Sequence, residues 1–230
     1  MQWRSVLAAA ADLAWGGACA ACARPGPLIC RPCAEAFRAL PPAVVPVRPG
    51  VPFTVARGDY AAELRQVILA CKERQGLTLV PILGELALGS AAGVLVDRWP
   101  RGPVRIVPIP SARSTVAERG FDLTSMMAAA VARGLRRRGV QALATAGLRQ
   151  SRAAQDQAGL GVAERRTNRY ASLTAASGPP SAVLLVDDLV TTGATLTEAA
   201  RALEAAGHTV LGAAVVAATR RTGRPATAAS

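Results

Sequence analysis

Aromatic side chains are scarce in this sequence. Three Trp, two Tyr and three Phe stand among 230 residues, and none sits in a cluster with basic residues. Single-stranded nucleic acid is bound largely on aromatic stacking platforms, so that mode of binding is disfavoured. Lysine is almost missing: Lys72 is the sole one, and the rest of the 27 basic side chains are arginine. Long apolar runs are missing as well. The longest, Leu86 to Val96, is about half of what a bilayer span requires, which excludes a polytopic membrane protein. Charged residues make up only 18% against 51% hydrophobic, which excludes a disordered chain.

What remains is a globular sequence with a real core. At roughly 150 residues per domain, the length predicts one α/β domain with an appendage, or two small domains. The formal charge is +12. The arginine and alanine bias is what a GC-rich genome produces; the charge also suits a nucleic-acid surface or a small anionic substrate.

Four of the five cysteines form two pairs, Cys19-x-x-Cys22 and Cys30-x-x-Cys33, seven residues apart. This pattern predicts a metal rather than a disulfide framework. Four thiolates suit tetrahedral Zn²⁺ with no open position, a structural rather than catalytic site, although iron fits the same ligands. The odd Cys71 lies on an apolar helical face as a core thiol. An unpaired thiol and the charged Asp12 inside the apolar N-terminal stretch argue for a cytoplasmic protein with an N-terminal helix and against a secretory leader.

Five parts are predicted along the chain: an N-terminal helix over 1–16, the four-cysteine unit over 17–37, a proline-rich linker over 38–58, an α/β domain over 59–218 and a disordered tail over 219–230. Helices are expected at 60–75, 79–98, 122–138 and 194–206, and strands at 104–107, 140–148, 183–186 and 210–216. Residues 149–173 are expected to be polar and to contain a short helix. The alternation predicts a parallel sheet flanked by helices, with ligands at the carboxyl ends of the strands.

One segment is chemically specific. The aliphatic run Val183-Leu184-Leu185-Val186 leads into Asp187-Asp188 and then Thr191-Thr192-Gly193-Ala194-Thr195 at the start of a helix. Backbone N–H groups of such a loop, with the helix N-terminus and the threonine hydroxyls, form an anion cradle. Gly193 allows close approach of the backbone. The adjacent carboxylates can accept from ribose hydroxyls or draw in Mg²⁺. Two neighbouring carboxylates repel and gain nothing by packing, so a capping role alone does not account for them. This is the chemistry of a sugar-phosphate site.

These residues resemble the 5-phosphoribosyl 1-pyrophosphate (PRPP) signature of type I phosphoribosyltransferases. Over roughly residues 15–217 the order of four-cysteine unit, Pro108-Ile109-Pro110, Arg119-Gly120-Phe121 and signature resembles the ComF family. That family couples a zinc finger to an amidophosphoribosyltransferase-like domain and is associated with competence and DNA utilisation. The resemblance implies that Asp187 and Asp188 hold the ribose and the 191–195 loop holds the 5′-phosphate. It implies that Ser111, Arg113 and Arg119 receive pyrophosphate, with Arg119 on a flexible loop. It also matches Lys72 to a family lysine. Gln157, Gly159, Leu160, Glu164, Arg165 and Asn168 match a further pattern, in which Glu164, Arg165 and Asn168 would either organise a hood over the base or nucleophile or form a structural polar network. The family usually continues Arg-Gly-Phe with Asn-Gln; here Asp122-Leu123 stand instead, and Asp122 is read as a helix N-cap. Mg²⁺ with PRPP and structural Zn²⁺ are the implied cofactors. Two functions are carried forward: a phosphoribosyltransferase with an unidentified acceptor, or a non-catalytic PRPP-binding or DNA-uptake adaptor.

Overall fold

The computed structural model describes residues 17–46, 48–73, 76–96, 98–100, 102–151 and 172–219. The N-terminal helix, the 157–168 pattern and most of the tail lie outside these residues. In chain order the elements are α1 (Arg31–Ala39), β1 (Ala43–Val44), β2 (Thr54–Asp59), α2 (Ala62–Lys72), a 3-10 turn (Gly76–Leu79), α3 (Val80–Val96), β3 (Val104–Pro108), α4 (Arg113–Arg119), α5 (Leu123–Arg136), β4 (Ala142–Ala144), β5 (Leu148–Gln150), β6 (Leu173–Ala175), β7 (Ala182–Val190), α6 (Ala194–Ala205) and β8 (Thr209–Ala218).

The main sheet runs β1-β2-β8-β7-β3-β4, parallel except for the β1–β2 edge. Its central strands are apolar on both faces, as strands covered by helices on each side must be. Leu184, Val186, Ala214 and Val216 face one core, shared with α2, α3 and α5. Val183, Leu185, Ala213 and Val215 face a second core, shared with α6 and the separate β5–β6 pair. Gly76–Val96 is long and apolar enough to cross a membrane by length and composition. Here α3 instead packs centrally, with Leu83, Leu86, Ala87, Ala91 and Val94 buried.

Two expectations are corrected. The 38–58 stretch is more than a linker. It contributes β1 and, through Thr54–Asp59, a strand paired along β8. Its prolines lie outside these strands and leave the ladder donors intact. The single strand expected over 140–148 is two short strands in different sheets, broken at Gly147, whose N–H bonds the Thr145 carbonyl at 2.9 Å.

The cleft follows from topology. From β3 the chain crosses through α5 to β4 on one side; from β7 it crosses through α6 to β8 on the other. The gap between the carboxyl ends of β3 and β7 is therefore a switch point, where ligands of open α/β sheets bind.

Candidate functional site

A cavity of about 230 Å³ opens at that switch point. Its lining includes Lys72 from the end of α2, Ile109 to Ala112 after β3, Thr115 and Arg119 on α4, and Asp187 and Asp188 on β7. Successive strand residues project to opposite faces. Asp188 shares the parity of Leu184 and Val186, so it leans toward α2 and pairs with the Lys72 ammonium. Its side chain is 10% exposed and that of Lys72 33%. Asp187 accepts the Asp188 N–H at 2.9 Å. Desolvation first, and the Asp188 charge second, push the Asp187 pKa well above the usual carboxylate value.

Arg119 is not on a loop. It closes α4, where Gly120 takes a left-handed conformation, φ 81°, and its N–H caps the Val116 carbonyl. Residues 113–118 suit a helix, and the glycine supplies the C-terminal stop. Arg119 Nε donates to the Lys72 carbonyl at 3.0 Å. One short network thus joins α4, α2 and β7 through Lys72. Asp122 caps α5: its carboxylate accepts the Ser125 N–H at 3.2 Å and hydroxyls of Thr124 at 3.0 Å and Ser125 at 2.7 Å. Those contacts bind the charge of Asp122 to its own helix. Cys71, beneath the cleft, is fully buried. Burial pushes its thiol up to about 12, the nearby Arg119 and Lys72 pulling the other way, so it is inert at neutral pH.

The structure brings Ser111, Arg119, Asp187, Asp188 and Lys72 around one cavity. Arg113 stands at the exposed start of α4, outside that lining. Thr191, Thr192 and Ala194 open onto a neighbouring cleft of about 1090 Å³. There Gly193 adopts φ 79° as the N-cap of α6. The Thr192 hydroxyl accepts the Ala194 N–H at 3.4 Å, and Thr197 donates to the Gly193 carbonyl at 3.2 Å. Thr195 is half-buried in the first turn of α6. Sequence reasoning missed Thr115 and Thr124 in the smaller cavity and Arg48 to Pro52 in the larger. Isolated threonines and a proline-rich stretch carry no motif that could have found them.

The four cysteines form a separate centre. Their sulfurs all lie within 4.8 Å of one another. A tight turn, with the Cys19 N–H on the Arg24 carbonyl at 2.9 Å, presents Cys19 and Cys22. The first turn of α1 presents Cys30 as N-cap and Cys33 one turn on. Tetrahedral zinc thiolates sit about 3.8 Å apart at a metal–sulfur distance of about 2.3 Å; Cys22 and Cys30 Sγ are 3.7 Å apart. Burial raises the Cys19 pKa, but N–H groups of Cys30, Cys22 and Ala21 outweigh it and lower the thiol to about 6. Burial and the neighbouring sulfurs push the Cys33 thiol up instead, so it is the spacing of the four sulfurs that fits a four-thiolate metal ion. Phe37 buries α1 against the main core, and Arg57 on β2 donates to the Arg38 carbonyl at 2.8 Å at the other end of the helix.

Comparison with known proteins bears on the second half of the chain. No curated protein matches the sequence. The family model of the phosphoribosyl transferase domain matches residues 117–228, a span that holds Arg119, both aspartates and the threonine loop. Residues 117–228 are thus similar to a phosphoribosyl transferase domain, and they supply β4, β7 and β8 of the mostly parallel sheet described above.

Proposed function

We propose that the protein binds PRPP at the β3–β7 switch point and transfers its phosphoribosyl group to an acceptor. The reading extends the family-level match to a ComF-like, cytoplasmic phosphoribosyltransferase with an N-terminal zinc unit. The observation that carries it is the convergence of Asp187, Asp188, Lys72, Ser111 and Arg119 on one cavity beside the Thr191–Thr195 loop.

Each residue has a role that its chemistry allows. Asp187 and Asp188 accept hydrogen bonds from the ribose hydroxyls. The threonine loop and the N-terminus of α6 take the 5′-phosphate. Ser111 and Arg119 hold the pyrophosphate and stabilise charge as it departs. Arg113 starts α4 from the exposed side and would reach pyrophosphate only by turning inward. Catalysis is then mostly positioning and charge stabilisation. Two carboxylates and one ammonium line this cavity, and the ammonium pairs with Asp188. That hard-oxygen donor set, with charge left to balance, fits Mg²⁺. The ion would be held through Asp187 and Asp188 and would neutralise pyrophosphate charge. Lys72 must leave Asp188 for the carboxylate to serve the ribose, and an incoming polyphosphate is the natural new partner for its ammonium.

The test is calorimetric titration of the zinc-loaded protein with PRPP, with and without Mg²⁺. Saturable binding that is lost in Asp187→Asn/Asp188→Asn supports the site, and pyrophosphate release then screens acceptors. No binding by folded protein sinks the reading and leaves the adaptor alternative, whose DNA affinity would fall steeply with salt and survive Asp187→Asn.

A further inference from the structure

The Thr191–Thr195 loop offers only neutral donors to a phosphate dianion. A second piece of chain faces it. Residues 48–52, inside the proline-rich stretch, line the same 1090 Å³ cleft as Thr191, Thr192 and Ala194. The contact is direct: a Cβ built on Gly193 would lie 2.7 Å from Val51 Cγ2 and 2.8 Å from Cγ1. The turn is also a built one. Val51 N–H donates to the Arg48 carbonyl at 3.1 Å. Thr54, fully buried, donates its hydroxyl to the Pro52 carbonyl at 2.7 Å. Pro49 and Pro52 fix two backbone torsions between these anchors.

Two arginines line this cleft among the described residues, Arg48 and Arg201. Arg201 is committed to Glu198, at 2.7 and 2.8 Å, and to the Leu173 carbonyl at 3.2 Å. Arg48 is exposed, and its side chain has no hydrogen bond or ion pair among the described residues. The remaining carboxylate of the lining, Glu204, lies near the far end of α6. An anion in the cleft is therefore favoured at the Thr191–Gly193 end, against which the turn that begins with Arg48 packs through Val51.

We propose that Arg48 is a binding residue for the sugar 5′-phosphate, an inference that rests on reading the threonine loop as the 5′-phosphate site. The guanidinium supplies the positive charge that the loop lacks, and its planar fork suits two phosphate oxygens. The Val51–Gly193 contact keeps turn and loop in register. The proline-rich stretch is then part of the substrate site.

The test compares Arg48→Ala, Arg48→Lys and Arg138→Ala in the zinc-loaded full chain, titrated with PRPP, ribose 5-phosphate and pyrophosphate in the presence of Mg²⁺. Arg138 is an exposed arginine just beyond α5, so its loss matches the charge change without touching the cleft. A charge-assisted contact predicts that Arg48→Ala weakens PRPP and ribose 5-phosphate by about 10- to 100-fold. Pyrophosphate binding should be unchanged, Arg48→Lys should recover part of the loss, and Arg138→Ala should behave as wild type. Wild-type affinity in a folded Arg48→Ala protein, or equal losses in Arg48→Ala and Arg138→Ala, would overturn the role of Arg48 alone. Failure of the wild type to bind PRPP would overturn the loop assignment, and Arg48's role with it.

Discussion

The cysteine cluster and the aspartate cleft are assembled by opposite routes. The cluster takes all its ligands from Cys19 to Cys33, through one turn and the first turn of one helix. The cleft gathers Lys72, Ser111, Arg119, Asp187 and Asp188 from the ends of α2, β3, α4 and β7. A site of the first kind forms when a metal binds and can fold locally. A site of the second kind exists only once the sheet has formed and set its helices. The difference teaches where each is vulnerable: the first to loss of its ion, the second to any change that alters register or charge across the sheet.

The largest effect that sharpens this contrast is metal removal. A structural zinc contributes on the order of 10 kcal/mol to such a unit. Chelation should unfold residues 17–39 while the β7–β8 core stays protected, as read by hydrogen exchange. Simultaneous unfolding of both would show that the two regions are one cooperative unit, joined through Phe37 and the Arg57 contact to α1.

Next in size is Lys72→Met. It strands the buried Asp188 carboxylate. Breaking a buried pair costs about 3–5 kcal/mol, and with Lys72 one-third exposed about 1–2 kcal/mol is expected in denaturant unfolding. An unchanged midpoint would show that Asp188 does not depend on this ammonium.

A smaller effect carries a pH signature. The folded-state pKa of Asp187 lies above its ordinary 3.8. The folded protein therefore holds this proton more tightly than the unfolded chain, and stability falls as pH rises past about 4 until the folded pKa is passed. Asp187→Asn escapes that loss while keeping an acceptor for the Asp188 N–H. Its Tm should exceed wild type at neutral pH, and the gap should close toward pH 4. A gap independent of pH would contradict a strained carboxylate.

The smallest effect concerns the surface tie between the regions. Arg38 Nε on α1 meets Glu85 on α3 at 2.9 Å, with both side chains more than half exposed. Glu85→Ala should cost no more than about 1 kcal/mol and leave the cleft unchanged, as checked by PRPP titration.

The sequence made the local features readable and left the assembled ones obscure. The two CxxC pairs, the Asp187-Asp188 step, the Thr-Gly loop and the N-cap at Asp122 are short-range patterns with direct physical meaning. The alternation of strands and helices likewise disclosed a mostly parallel sheet. What stayed hidden depends on contacts distant in sequence. Thr54 to Asp59 form a strand because β8 offers an edge to pair with, although the surrounding prolines suggest a connection. Arg119 ends a helix because Gly120 can take positive φ, whereas the family resemblance suggests a loop. The Lys72–Asp188 pair follows from strand parity and from where α2 ends, neither of which a motif records. The turn that begins with Arg48 meets the threonine loop through Val51 packing on Gly193.

The most direct test of the division of labour is hydrogen exchange of the zinc-loaded protein with and without PRPP and Mg²⁺. The account predicts added protection at residues 109–119, at 187–196 and at the 48–53 turn, with residues 19–33 unchanged. Protection confined to the cysteine unit, or none anywhere in a folded protein, would contradict it.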